Sequence, residues 1–352
     1  MSVLRVALPS KAWEDDTLHF LGQCGLRIDR SNPRQYRARM RGLPTGPAEV
    51  VFQRATDIFD EVNAGSVDLG ITGYDIVAEH RSEEDEVVVV YGELGFRRCS
   101  LVIAVPEGWV DVTSVSDLAE VGVELRSAGR ELRVATKYAN LTRQFLFDRG
   151  ITYFTLVEVS GAIEAAPALE TADIICDLTS SGVTLRENRL KTVTGGLVLH
   201  SQACLIGNRL ELQADAERLE ATRGLLELME ACLRSRQRVS ITANIPGQSA
   251  EEVARRVLAS GGVAGLRGPT IARVFPKEPL DGDGDWFALT VVVAEDVLLP
   301  TVEALRRAGA GEVSATQVRY VFEHRSWTFE ALKRQLGADA TEAVADAPLP
   351  SV

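Results

Sequence analysis

The stretch that most restricts this chain runs from Ala172 to Leu178. It is apolar around Asp173 and Asp177, and it ends in Thr179-Ser180-Ser181-Gly182-Val183-Thr184. Leu185-Arg186-Glu187-Asn188 then has the look of a helix start. A short apolar run bounded by polar turn residues predicts a buried strand. The turn can also hold an anion: backbone N–H groups and the helix dipole would face it, hydroxyls add donors, and Gly182 allows close approach. Asp177, at the carboxyl end of the strand, can accept hydrogen bonds from vicinal sugar hydroxyls. An ordinary Ser/Thr turn capping a helix has the same composition, and the loop alone does not separate the two.

Length and charge narrow the classes. A chain of 352 residues predicts two or three domains. No apolar run reaches about 18 residues, so no membrane span is expected. The start, MSVLRVALPSKAWEDD, has no charged region ahead of an apolar stretch. Cys24, Cys99, Cys176, Cys204 and Cys232 are odd in number and form no CxxC pair. Reduced thiols and a cytoplasmic location are the expectation. The formal charge of −12 argues against a nucleic-acid surface. An acidic chain that binds polyphosphate needs a few well-placed cations and a divalent metal. Histidine is scarce, and no His/Cys cluster has metal-ligand spacing, so the direct metal ligands stay unknown.

Strand–turn–helix text recurs along the chain. Leu4–Pro9 predicts a first strand, Ser10-Lys11 a turn, and Asp15-Asp16-Thr17 opens a helix through Leu21. Lys11 is either a phosphate contact or a solvated turn lysine. Glu49–Phe52 is a strand, followed by Arg54 and a helix over Asp57–Asn63. Val67–Asp75 runs a strand into a turn flanked by Gly70 and Gly73, suited to close approach of a ligand. Asp68 and Asp75 sit in this segment, where an Asp is as readily a structural turn residue. Val87–Tyr91 and Arg97–Pro106 are strands, and a helix begins at Val115–Leu118. Leu132–Tyr138 is a strand into a turn, with a helix over Leu141–Arg149. Ala203–Ile206 is a returning strand, and Leu210–Leu233 a long amphipathic helix. From Val239 the order is strand (239–245), helix (249–260), strands (270–275 and 286–293), helix (296–308) and strand (313–322). This βαββαβ order predicts a ferredoxin-like domain. Asp281-Gly282-Asp283-Gly284-Asp285 lacks the length and terminal Glu of an EF-hand, and a solvated turn is expected. A helix over Trp327–Leu336 and a disordered tail over 337–352 complete the chain.

The spacing Glu164-x5-Glu170-x2-Asp173-x3-Asp177-x2-Ser180-Ser181-Gly182-x-Thr184-Leu185 resembles the signature of ATP phosphoribosyltransferase, in its long form. Ala166-Pro167, Ala172-Asp173, Asp177-Leu178 and Asn188-Arg189-Leu190 match the same stretch. Ser181 stands where Thr is usual and keeps the hydroxyl. Glu170 stands where Gly is usual, which predicts a changed turn ahead of the strand. Asp68-Leu69-Gly70-Ile71-Thr72-Gly73-Tyr74-Asp75 resembles the family's Asp-Leu-Gly-Ile-x-Gly-x-Asp segment, with Arg54 matching the Arg before it. Arg97–Pro106 matches the strand that crosses between the family's two lobes. Ala135-Thr136-Lys137-Tyr138-Ala139 resembles its Ala-Thr-x-Tyr-Pro. One departure stands out: the first strand is followed by Lys11-Ala12-Trp13, where Lys-Gly-Arg is usual.

The resemblance implies a two-lobed, periplasmic-binding-protein-like α/β catalytic unit, with a C-terminal ferredoxin-like (βαββαβ) regulatory domain. Catalytic domain I is expected over 1–97 plus 198–235, domain II over 98–197, and the regulatory domain over 236–325. The implied reaction joins ATP to 5-phosphoribosyl 1-pyrophosphate (PRPP), giving N1-(5-phosphoribosyl)-ATP and pyrophosphate at the start of histidine biosynthesis. Glu164, Asp177, Thr179, Ser180, Ser181, Gly182, Val183 and Thr184 are the implied PRPP residues. Lys11, Arg54, Asp68, Gly73, Lys137 and Tyr138 are the implied ATP and pyrophosphate residues, with Arg97 and Arg98 as candidates for a cationic cleft wall. Tyr138 could stack on adenine, or simply pack in the core. Mg²⁺ is the implied cofactor and histidine the implied allosteric inhibitor. The implied assembly runs from dimer to hexamer, without nucleic acid or membrane. No general base is nominated, because adenine N1 carries its own lone pair. A non-catalytic regulatory paralogue and a two-lobed small-molecule-binding protein are the alternatives.

Overall fold

A computed structural model describes residues 2–337, apart from 33, 83, 160, 262–264, 266, 267 and 276–284. The 281–284 turn and the tail beyond Gly337 lie outside the described residues. The chain divides into two compact units: the segment up to Leu226 with the segment from Ser326, and Glu227–Arg325.

In the first unit the chain begins β1 (Arg5–Pro9), α1 (Glu14–Gln23), β2 (Arg27–Asp29), β3 (Arg37–Arg41), β4 (Ala48–Gln53), α2 (Ala55–Asn63), β5 (Leu69–Gly73), α3 (Tyr74–His80) and β6 (Val87–Tyr91). It crosses into β7 (Cys99–Pro106), α4 (Val115–Ser127), β8 (Leu132–Thr136), α5 (Ala139–Asp148), β9 (Phe154–Val157), β10 (Ile174–Thr179), α6 (Val183–Glu187) and β11 (Leu190–Ser201). It then returns through β12 (Ala203–Asn208), α7 (Arg209–Ala214) and α8 (Ala216–Ser235), the last of which belongs to the second unit from Glu227 on. Two sheets result, ordered β2-β3-β4-β1-β5-β12-β6 and β11-β7-β10-β8-β9. Two lobes joined by two crossing segments are therefore present, as expected. The second crossing falls at Ser201–Ala203, past the expected boundary at 197, because β11 stays paired with β7 to its end at Ser201↔Cys99.

The central strands are the buried ones. All five residues of β5 are buried, as a central strand covered on both faces requires. Leu8, Leu69, Ile71, Leu101, Ile103, Leu132, Val134 and Ile174 are at most 1% exposed. Each such side chain contributes about 1.5–3 kcal/mol. The turn ahead of β10 corrects an expectation. Glu170 adopts φ 56°, the left-handed conformation that a glycine would take, and Arg133 Nη1 donates to its carbonyl at 2.8 Å. The turn is kept and the side chain bears the strain. Glu170→Gly should therefore raise stability by about 0.5–1 kcal/mol, seen as a higher melting temperature with unchanged activity.

In the second unit, β13 (Arg238–Gly247), α9 (Ala250–Ala259), β14 (Thr270–Val274), β15 (Asp285–Ala294), α10 (Leu298–Arg307) and β16 (Val313–Gln317) form an antiparallel sheet ordered β14-β15-β13-β16. That order is the ferredoxin-like one. The last strand ends at Gln317 rather than at 322. Val239, Ile241, Ala243 and Ile245 of β13 pack with Leu289, Val291, Val253, Val257 and Leu305. The alternating positions carry Ser240, Thr242, Asn244, Thr290, Ser314 and Thr316, and Thr242 Oγ1 lies 3.2 Å from Thr290 Oγ1. A cavity of 470 Å³ opens at Thr242, Asn244, Glu312, Val313 and Ser314. Helix α11 (Trp327–Gln335) belongs to the first unit, where it packs against β6.

Candidate active site

Strand direction sorts the predicted residues. β1 runs parallel to both β4 and β5, and ligands in open α/β sheets bind beyond the carboxyl ends of the strands. Ser10-Lys11 follows β1, Arg54 follows β4, and Gly73 closes β5. Ser10 N donates to Gln53 O at 2.7 Å, holding the first two turns side by side. Lys11 and Arg54 are exposed there. In the other lobe β10 runs parallel to β8. Lys137 and Tyr138 follow β8, and Thr179–Thr184 follows β10.

Asp68 does not join them. It precedes β5, at the amino end of the sheet, and is fully buried. Arg5 N and Nη2 donate to its carboxylate at 2.7 and 2.6 Å, and Arg218 Nη1 at 2.9 Å. Glu211 completes the cluster by accepting from Arg5 at 2.8 Å. With its oxygens taken and no path to solvent, Asp68 is a structural acid rather than a substrate contact.

The predicted PRPP loop is a cradle built on Gly182. Thr179 Oγ1 accepts from Gly182 N at 3.0 Å, and Gly182 holds φ 71° as it leads into α6. Ser180, Ser181, Val183 and Thr184 are exposed, and no side chain caps the helix start. Asp177 lies just below. Burial pushes its carboxyl above the usual 3.8, Glu164 adds to the rise, and the Leu178 N–H and Lys137 work against it. Glu164, Asp177 and Lys137 are thereby placed in one electrostatic neighbourhood.

Tyr138 is neither free to stack nor merely core. It packs partly on the second-lobe core, and its hydroxyl donates to Asp75 Oδ2 at 2.7 Å. Burial first, and the Asp75 charge second, push its ionisation far above the usual 10.0, so the phenol stays protonated. Asp75 also accepts from Ser201 Oγ at 2.6 Å, at the second crossing. One helical turn on, Glu79 accepts from Asn140 N at 2.8 Å and from Leu141 N at 3.0 Å, closing the start of α5. Asp75, Glu79 and Ser201 thus tie the lobes together. Of the three, sequence reading reached only Asp75, since hydrogen bonds between residues 61 to 126 apart leave no local signal.

Gly73 is required by this packing. A Cβ there would stand 2.5 Å from Asp75 Oδ1 and 3.2 Å from Trp13. Trp13 belongs to a 3-10 turn over Lys11–Trp13, and the Arg97 guanidinium stands 5.6 Å from its ring. Trp13 links Arg97 to Gly73, Asp75 links Gly73 to Tyr138, and the field of Asp177 reaches Tyr138. A separate cavity of 790 Å³, lined by Arg5, Arg37, Arg39, Arg41 and Glu49 among others, includes none of the predicted substrate residues.

Among the described residues no three His, Cys, Asp or Glu side chains gather as a metal site. Asp177 and Glu164 offer two carboxylates at most. Such a donor set fits Mg²⁺ held mainly by substrate phosphates and water. Among the described residues, no helix is long and apolar enough to cross a membrane.

Comparison with known proteins gives consistent matches. The ATP phosphoribosyltransferase family model matches residues 54–230, and the model of the HisG C-terminal domain matches 235–320. ATP phosphoribosyltransferase 1, chloroplastic, of Arabidopsis thaliana is 37% identical over 337 residues, covering 95% of this chain and 81% of the relative. An ATP phosphoribosyltransferase of Brucella anthropi is 45% identical over 208 residues, 58% of this chain and 89% of the relative. Among solved structures, the Thermotoga maritima ATP phosphoribosyl transferase (HisG:HisZ) complex aligns at TM-score 0.50 and 20% identity, covering 65% of this chain and 99% of that one, a likeness of fold.

Proposed function

Because this chain belongs to the ATP phosphoribosyltransferase family, we propose that it joins ATP to PRPP, forming N1-(5-phosphoribosyl)-ATP and pyrophosphate, the first step of histidine biosynthesis. The observation that carries this reading is the pairing of two strand-end sites. The hydroxyl cradle and Asp177 stand at the carboxyl end of β10, and the cations Lys11 and Arg54 at the carboxyl ends of β1 and β4.

The chemistry asks mainly for positioning. As pyrophosphate leaves, ribose C1 takes on oxocarbenium character, and adenine N1 attacks with its own lone pair. In this reading the 5′-phosphate sits on Thr179–Thr184, with Gly182 allowing close approach. Asp177 and Glu164 accept from the ribose hydroxyls, and their negative charge favours the cationic centre. Lys11 and Arg54 hold the polyphosphates. Lys137 stands beside the acids. Tyr138, kept protonated, acts as a donor to Asp75 and not as a base. Mg²⁺, when bound, would neutralise phosphate charge, with Asp177 and Glu164 as its available carboxylates.

For the second unit we favour an effector role. The hydroxyl- and amide-bearing sheet face, with its cavity at Thr242 and Asn244, suits a small polar ligand, and histidine is the inhibitor we expect. Assembly from dimer to hexamer and a reducing, cytoplasmic setting belong to the same reading, and the burial of Cys24, Cys176, Cys204 and Cys232 accords with the latter.

Purified full-length chain with Mg²⁺, ATP and PRPP should release pyrophosphate and gain a near-ultraviolet product absorbance. Histidine should slow that rate without competing with either substrate. Trp13 in place of the usual Arg favours one rival, a chain that binds substrates without turning them over. Substrate binding by calorimetry with no pyrophosphate release would establish that rival instead.

A further inference from the structure

Lys11-Ala12-Trp13 leaves the turn after β1 without the arginine of the Lys-Gly-Arg motif that it resembles, yet the structure brings a guanidinium to that turn. It comes from Arg97, 84 positions beyond Trp13, at the first crossing between the lobes. Arg97 Nη2 donates to the Ala12 carbonyl, and Nε pairs with Asp16 at 2.6 Å. The guanidinium stands over the Trp13 ring at 5.6 Å, within cation–π range. Trp13 in turn lies against Gly73 at the end of β5. The ring therefore acts as the seat of the arginine.

Four features point to a binding role rather than a strut. Arg97 holds φ 56°, a left-handed conformation that a side chain rarely takes and that collects at functional sites. Its fork is only part used: Nε and Nη2 are engaged, and no bond from Nη1 is found among the described residues. Asp16 is 51% exposed, so its pairing orients the guanidinium more than it neutralises it. Lys11, exposed in the same 3-10 turn, adds a second cation.

We propose that Arg97, seated on Trp13, binds the diphosphate of PRPP and holds it as it leaves. The proposal rests on the transferase reading for the identity of its ligand. A planar fork matches two phosphate oxygens, which a lysine cannot do.

The test uses full-length protein and inorganic pyrophosphate, titrated by calorimetry. Arg97→Ala should weaken binding about 10- to 100-fold, the loss expected for charge-assisted hydrogen bonds. Arg97→Lys should recover part of it. The double variant Trp13→Arg/Arg97→Gly, which moves the guanidinium to the turn and relieves the backbone, should bind within about threefold of wild type. In steady state, Arg97→Ala should raise KM for PRPP and leave KM for ATP unchanged. Pyrophosphate affinity within twofold of wild type in folded Arg97→Ala would reduce Arg97 to a strut. Should Arg97→Ala fail to fold, the double variant decides: binding no tighter than that of Arg97→Gly overturns the proposal. A loss confined to ATP overturns it as well, assigning the guanidinium to the triphosphate. Failure of the transferase reading looks different: wild type binds pyrophosphate through Arg97 but does not turn over ATP with PRPP.

Discussion

Replacing Asp68 by alanine should cost about 3–5 kcal/mol of stability and leave catalysis in the surviving folded protein intact. Asp68 is fully buried between Arg5 and Arg218, whose side chains are 29% and 22% exposed. Two guanidinium groups meet three carboxylates there, Asp68, Glu211 and Asp215, and Asp68 alone of the three is fully buried. Deleting it strands donors from both arginines, the Arg5 backbone N–H included, in a partly desolvated pocket. At about 2–4 °C per kcal/mol for a unit of this size, the melting temperature should fall by roughly 10 °C. Thermal melts, with kcat and KM measured well below the transition, check this. A shift under about 2 °C together with a loss of ATP affinity would return Asp68 to the substrate site.

The second large effect is expected at Asp177, with stability and function moving in opposite directions. Asp177→Asn should lower kcat/KM for PRPP by about a hundredfold or more. Two hydrogen bonds from ribose hydroxyls to a carboxylate, at about 1.5–3 kcal/mol each, support that figure. The same variant should be more stable at neutral pH. Burial holds the folded carboxyl above its ordinary 3.8, so the folded state keeps this proton more tightly than the unfolded chain. For such an acid, stability is greatest below the unfolded pKa and declines as pH rises through the folded pKa. At pH 7 the ionised Asp177 opposes folding, and asparagine removes that opposition while still accepting from the Leu178 N–H. The melting temperature of Asp177→Asn should exceed that of wild type at pH 7, and the difference should vanish near pH 4 and below. An Asn variant less stable than wild type at pH 7 would mean that the carboxylate is compensated within the fold.

Legibility in the sequence followed burial. β1, β4, β5, β8 and β10 are apolar strands at sheet centres, and they stood out. β2 and β3 did not: Arg27-Ile28-Asp29 and Arg37–Arg41 lie at or near the sheet edge, with arginines on the exposed face. β11 escaped because its glycines and threonines carry register shifts between Thr192, Leu197 and Leu199. The cradle was readable because its residues are contiguous. The lobe ties through Asp75, Glu79 and Ser201 were not, since they exist only once distant segments meet. The placement of Asp68 follows from strand direction alone: a residue that precedes a parallel strand lies at the amino end, away from the site.

Helix α11 carries a further consequence. After the second unit ends at Arg325, the chain comes back to cover the first: Ser326 Oγ caps the helix by accepting from Phe329 N at 3.1 Å, and Phe329, Leu332 and Leu336 are buried. Gln213 Nε2 then donates to the Leu336 carbonyl. The βαββαβ unit is therefore spliced into the chain, not hung from its end. A stop codon after Ser235 would strip α11 from β6 and expose apolar surface, so aggregation of that fragment would carry no information about regulation. Clean removal takes two cuts and a short joining loop, which leaves α11 in place on its strand. The same topology joins the spliced unit to the first at two points of the chain, Leu226–Glu227 and Arg325–Ser326.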